Sequence, residues 1–121
     1  MTTINIAKDF SRYPIGRYEA DGPNSGERFR ERKLVPALRD DTVSGVEVLL
    51  DGVAGYPSSF LEEAFGGLVR VHGMDESGLR KKLHIRAEKA AFETYIEEIW
   101  TYIAEAEGSQ TEVARAELET L

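Results

Sequence analysis

Two adjacent hydroxyls, Ser58 and Ser59, stand between Pro57 and the apolar pair Phe60-Leu61, where an apolar run has ended and a helical pattern begins. A serine there caps a helix. Ser59 with Glu62 three residues later fits a capping box, worth about 1 kcal/mol. Asp51 closes the preceding run Val46-Glu-Val-Leu-Leu50. Strand ends are places where catalytic carboxylates occur, yet Asp51 has no evident histidine, cysteine or metal-site companion. Its expected task is to cap the turn or to accept a bond from Ser58 or Ser59. Glu62 and Glu63 diverge by about 100° on a helix and cannot act together as a carboxylate pair. No catalytic set assembles, and a protein without enzymatic activity is the expectation.

A second cluster is cationic. Arg12, Arg17 and Arg28 surround Gly22-Pro-Asn-Ser-Gly26, where Ser25 is placed to cap the helix that follows. Guanidiniums gathered at a helix N-terminus can hold an anion, which makes a small ligand- or nucleotide-binding protein, with or without enzymatic activity, the alternative function. The same arginines can pair with Asp9, Asp21 and Glu27, and the Gly-x-x-x-x-Gly-Lys-Ser/Thr spacing of a P-loop is missing. Gly66-Gly67 costs a helix about 1 kcal/mol per glycine relative to alanine. On a helical wheel Gly66 falls on the polar side and Gly67 at its margin, flanked by Glu62, Glu63 and Arg70. Two readings stand. Either these five residues form a flat partner-binding face, or a neighbouring helix of the same domain fills the space.

Composition narrows the function classes. The chain's 121 residues suffice for one domain that buries a core without metals or disulfides. The absence of cysteine excludes disulfides, zinc-thiolate sites and thiol catalysis. His72 and His84 have no partner at ligand spacing, so no metal or other cofactor is expected. A net charge of −7, from 15 basic and 22 acidic residues, argues against nucleic acid as the partner. The excess is uneven: residues 93–121 carry eight glutamates and one arginine, whereas 76–92 hold five basic residues against two acidic. Arg80, Lys81, Lys82 and Arg86 read as a solvated face. The first residues lack the basic start and apolar core of a signal peptide, and no apolar run approaches the ~20 residues of a membrane span. A soluble cytoplasmic protein is expected.

The elements that must position these residues follow from periodicity. Ile4 and Ile6, with Phe10, alternate as in a half-buried strand, and Gly16-Arg-Tyr-Glu-Ala20 offers a short second one. Residues 25–38 make a helix with Phe29, Leu34 and Leu38 inward, kinked or broken at Pro36. Val46–Asp51 reads as a buried strand. In a helix over 59–72, Phe60, Leu61, Ala64, Phe65, Leu68 and Val71 share one arc. Leu83–Ala87 alternates as a strand, and Phe92, Ile96, Ile99, Trp100 and Ile103 stripe a last helix over 90–106. After Gly108 the chain is an acidic tail with few large apolar residues. The architecture expected is α/β: a small mixed sheet covered mainly on one side by three helices, as a domain over 1–107, with the tail at 108–121.

Asp51, the short turn after it, and Ser58-Ser-Phe-Leu-Glu-Glu-Ala-Phe-Gly-Gly-Leu68 resemble the signature of the STAS-like domain family of unknown function. Pro23–Arg30 and Leu34–Leu38 are similar to that family's first helix, and the likeness covers roughly residues 3–88. The family is distantly related to the STAS domains of anti-sigma factor antagonists. In those antagonists a serine at the start of the corresponding helix is phosphorylated by a partner kinase. The resemblance therefore implies a protein partner of the histidine-kinase-like ATPase class, with ATP held by that partner, and it marks Ser58 and Ser59 as candidate phosphoacceptors. The usual antagonist signature has Asp-Ser followed by Ser-Gly, whereas here Pro57 precedes the serines and Phe60 follows. The exposed edge of so small a sheet also leaves room for a homodimer.

Overall fold

Three short strands carry the alternation seen in the sequence. β1 (Thr2–Asn5), β2 (Val46–Leu49) and β3 (Leu83–Arg86) lie in the order β1-β2-β3, both pairs parallel, with Val48 opposite Ile4 on one side and Ile85 on the other. This arrangement comes from a computed structural model, which describes residues 1–119. The sheet is parallel where a mixed one was expected, and residues 16–20 add no strand to it. Their main-chain groups are spent elsewhere. Gly26 and Glu27 donate to the Gly16 and Arg17 carbonyls, and the Asp21 carboxylate accepts from the Arg17 and Tyr18 N–H groups, closing a 3-10 turn over Glu19–Asp21. β1 ends early too: Asn5 caps a single turn, α1 (Ile6–Asp9), so Ile6 is buried from a helix.

Parallel pairing demands crossovers. The first runs through α2, residues 26–38, and the second through α3, residues 58–70, and α4 (Glu76–Lys82). Both long crossover helices contain a π turn, Arg30–Leu34 in α2 and Glu62–Gly66 in α3. In α2 the wide turn ends at Val35, whose N–H reaches back to the Arg30 carbonyl, just before Pro36. An extra residue in that turn moves the preceding carbonyls away from the proline ring, so the chain stays helical to Leu38 without the expected break. In α3 the same device sets the helix back by about one residue's rotation. Val69 is thereby turned into the core, and Val71, expected inside, is 58% exposed.

The last helix, α5 (Ala90–Glu119), continues without interruption through Gly108. Ile99 and Ile103 are fully buried from it, with Phe92, Ile96 and Trp100 half-buried, while residues 108–111 and 115–119 are exposed. Thr120 and Leu121 lie outside the described residues. α3 is the central helix, packed between α2 and α5. Phe10, Phe29, Phe60 and Tyr56 form a chain of rings 5.2–6.0 Å apart that ends against Tyr95. The Tyr56 hydroxyl donates to the Leu50 carbonyl at 2.7 Å, and burial, with Asp51 nearby, pushes its pKa well up. The core therefore sits on the sheet face of Ile4, Val46, Val48 and Leu83. The opposite face keeps Thr3, His84 and Arg86 in solvent. No helix among the described residues is long and apolar enough to cross a membrane.

Candidate functional site

The residues singled out by sequence separate into two places. The first is a charged seam between α2 and α3, at the start of both π turns. Arg30 (2% exposed) donates to the Glu63 carboxylate and to the Glu63 carbonyl, both at 2.7 Å, and to Glu31 at 2.7 Å. Glu63 is itself 5% exposed and also faces Arg17 and Arg70 at 3.3 and 3.4 Å. Glu62 is clasped by Arg17 and Arg70. Glu31 continues the chain to His72, whose other ring nitrogen lies 3.1 Å from Arg39. Burial works against the Arg30 charge, but its bonds to Glu31 and Glu63 outweigh that and raise its pKa.

This seam corrects the picture of an open partner-binding strip. Glu63, Gly66 and Gly67 are buried, and only Arg70 of the five is exposed, with Glu62 half-buried. Gly67 lies under the Arg30 guanidinium, where a Cβ would overlap it and come within 2.7 Å of Cζ. Gly66 lies under the Glu62–Arg70 pair. The space above both glycines is filled by this chain's own side chains. The anion-binding cluster is dispersed for the same reason. Arg17 is committed to Glu62 and Glu63, and the buried Ser25 hydroxyl accepts the Arg28 N–H as a helix cap. Arg12 is exposed and Arg28 half-buried. Arg30, the pivot of the seam, carries no motif; its place on the inward side of α2 beside Phe29 was the available signal.

The seam makes an acid-lability prediction. Burial pushes the Glu62 and Glu31 carboxyls up, but Arg70 and Arg17 hold the first, and His72 and Arg30 the second, below the ordinary carboxylate value. A depressed folded-state pKa contributes stability that is complete above the unfolded value, about 4.3, and is lost as pH falls through the lower folded value. Melting temperature is expected to drop between about pH 5 and pH 3. Glu62→Gln should melt lower at neutral pH and lose less on acidification, as followed by circular dichroism.

The second place is the end of the domain around the start of α3. Pro57, not Ser59, is the N-cap residue, and no side chain caps the helix. The capping box fails because the helix begins one residue sooner, at Ser58: the Pro57 carbonyl accepts the Phe60 and Leu61 N–H groups, so Ser59 lies inside the first turn and Glu62 past the N3 position. Ser58 is exposed and Ser59 half-buried. The Ser58 hydroxyl lies beside Tyr102, whose O–H donates to Glu98 at 2.6 Å; that bond, with some burial, pushes the Tyr102 pKa up to about 12. Asp51 does not serve the serines. It accepts the Glu88 and Lys89 N–H groups at 2.8 and 2.9 Å, tying the end of β2 to the start of α5.

Beside Pro57 the loop before α2 comes across. Ala54 N–H donates to the Arg12 carbonyl at 2.8 Å and Ile15 N–H to the Asn24 carbonyl at 3.0 Å, so the loop is pinned at both ends. Its large apolar side chains nevertheless point outward: Tyr13 is 68%, Ile15 63% and Tyr18 52% exposed. Tyr13, Ile15, Ala54, Tyr56 and Pro57 border a depression of about 380 Å³ with an almost wholly apolar surface. Sequence reading passed over these residues, although three large apolar side chains in a Gly/Pro-rich loop were visible. No group of three or more histidine, aspartate or glutamate side chains able to hold a metal occurs among the described residues.

A family model described as a STAS-like domain of unknown function matches residues 25–89, from the Ser25 cap to the end of the β3–α5 turn. No curated protein matches the chain, and no solved structure matches it.

Proposed function

This chain belongs to the STAS-like domain family of unknown function, and we propose that it is a cytoplasmic regulatory module acting by protein–protein contact, in the manner of an anti-sigma factor antagonist. One observation carries this reading: Tyr13, Ile15 and Tyr18 are exposed on a loop whose backbone is already fixed. Holding large apolar side chains in water on an ordered loop is unfavourable unless something covers them, and a pre-ordered loop saves a partner the entropy of fixing it. The patch adjoins the exposed Ser58, so a partner seated on it reads the state of that hydroxyl. The partner class is the histidine-kinase-like ATPase that family kinship suggests, with ATP bound by the partner.

Ser58, the more exposed of the two serines, is the proposed phosphoacceptor, with Ser59 the lesser candidate. A phosphate there gains the unpaired N–H groups and positive end of α3. It also faces Glu98 and Glu105 of α5, which lie around Tyr102. Like-charge repulsion would then alter the surface beside the apolar patch and release an acidic partner. Two measurements test the proposal. Recovery of the tagged protein from its native cells should bring down an ATPase, and Ile15→Asp should abolish that recovery while leaving the melting temperature within a few degrees. Intact-mass analysis after incubation with native lysate and ATP should show a phosphate that is lost in Ser58→Ala/Ser59→Ala. Copurification of a metabolic enzyme instead, or undiminished recovery with Ile15→Asp, would overturn it.

A further inference from the structure

β3 is an edge strand, bonded on one side only, to β2. The Arg86 carbonyl accepts the Leu50 N–H at 3.0 Å, so Arg86, and by two-residue alternation His84, turn their main-chain groups toward β2. Leu83, Ile85 and Ala87 therefore turn theirs outward. One of these groups is already used, because the Leu83 N–H donates to the Leu79 carbonyl at the end of α4. What remains along the edge, in order, is the Leu83 acceptor and the donor and acceptor of both Ile85 and Ala87. The other edge offers less. On β1 the Asn5 N–H is taken by the Asp9 carboxylate at 2.7 Å and the chain turns at once into α1.

That order of groups complements itself. Set antiparallel about a two-fold axis at Ile85, two copies of β3 exchange both Ile85 bonds, and each Ala87 N–H meets the other copy's Leu83 carbonyl. The Leu83 N–H, whose mate in that pairing would be the other copy's Ala87 carbonyl, is already satisfied within its own chain, so that carbonyl at the strand end keeps water as its partner. The side chains along the edge follow the same symmetry. A groove of about 500 Å³ runs between β3 and α5, floored by the half-buried Ile85, Ile96 and Trp100. Arg80 lies at the Trp100 end, its guanidinium 4.0 Å from the ring centroid and 3.1 Å from Glu76 in a solvent-exposed pair that a second carboxylate can share, while the exposed Glu93 and Glu97 lie toward the other end. A two-fold brings the Arg80 end of one copy over the Glu93 and Glu97 end of the other and places the two apolar floors against each other.

We infer that this chain forms a homodimer through its β3 edges, an antiparallel six-stranded sheet joint closed by Arg80 pairing with Glu93 and Glu97 across the two-fold. The inference is independent of the loop around Ile15 and of any partner there. Sedimentation equilibrium of the full chain over a dilution series should give twice the chain mass at high concentration, dissociating on dilution. Glu93→Lys/Glu97→Lys, both on exposed positions, should raise the dimer dissociation constant at least tenfold with unchanged far-ultraviolet circular dichroism. Adding Arg80→Glu to that pair should restore association, because the charges are then exchanged and still complementary. A chain that is monomeric at the highest concentration, or a dimer indifferent to the double charge reversal, overturns the inference. So does a failure of Arg80→Glu to rescue it.

Discussion

Arg30→Ala is expected to cost about 3–5 kcal/mol, the usual penalty for removing one partner of a buried ion pair. Arg30 and Glu63 are 2% and 5% exposed, and the guanidinium satisfies both the Glu63 carboxylate and the Glu63 carbonyl. Without it the carboxylate keeps only the longer contacts to Arg17 and Arg70, and a carbonyl inside the π turn of α3 loses its side-chain donor. The pair itself is a weak source of net stability, since desolvating both ions offsets much of their attraction. Its removal is costly because the remainder is uncompensated. A double replacement with apolar residues should accordingly recover much of the loss, and urea denaturation of Arg30→Ala, Glu63→Gln and Arg30→Met/Glu63→Leu measures the contrast. If Arg30→Ala unfolds within about 1 kcal/mol of the parent, as a surface pair would, the seam is not buried as described.

Gly26→Ala is the second large effect. Gly26 opens α2 where it crosses α3, and a Cβ there would overlap the Phe60 carbonyl oxygen and stand 3.1 Å from the Ala64 nitrogen. Those obstacles are backbone atoms of a central helix, so they cannot swing aside. The helices must separate, loosening the contact between Phe29 and Phe60, whose ring centroids are 5.9 Å apart. Overpacking of this kind costs about 1–3 kcal/mol or more. Gly66→Ala provides the control. Its Cβ meets only the ends of Glu62 and Arg70, which are partly exposed and can move, and alanine favours the helix by about 1 kcal/mol. Gly66→Ala should therefore lie close to the parent in urea, with Gly26→Ala well below it. Equal losses at the two positions would mean that α2 and α3 do not approach as closely as their backbones indicate.

Much of this was legible one element at a time. The alternation around Ile4, the apolar run at Val46 and the pair Leu83/Ile85 located all three strands, and Ser25 marked a real helix cap. Those signals are local: a side chain's polarity, repeated every second or every third to fourth residue, states which face needs a core. Membership of the STAS-like family was legible by a different route, the resemblance of Asp51 and the run Ser58–Leu68 to that family's signature. Failures clustered where the answer depends on residues far away in the chain. Glu63 looked like a surface residue because its burial rests on Arg30, 33 positions earlier. Glu62 likewise looked like a capping-box partner for Ser59, whereas the helix starts at Ser58 and the carboxylate pairs with Arg17, 45 positions away.

The sequence by itself determined the three strands, the three long helices in outline and most of the apolar core, because helix and strand periods translate directly into faces. Tertiary structure alone decided which polar residues are inside and how the strands are ordered. Two π turns re-phase α2 and α3 in mid-helix, exchanging Val69 for Val71 in the core, and no single-period wheel can register a change of period. Charges were subject to the same limit. An ionised side chain is buried only when an opposite charge meets it, and that meeting is a property of two segments brought together, not of either one's sequence.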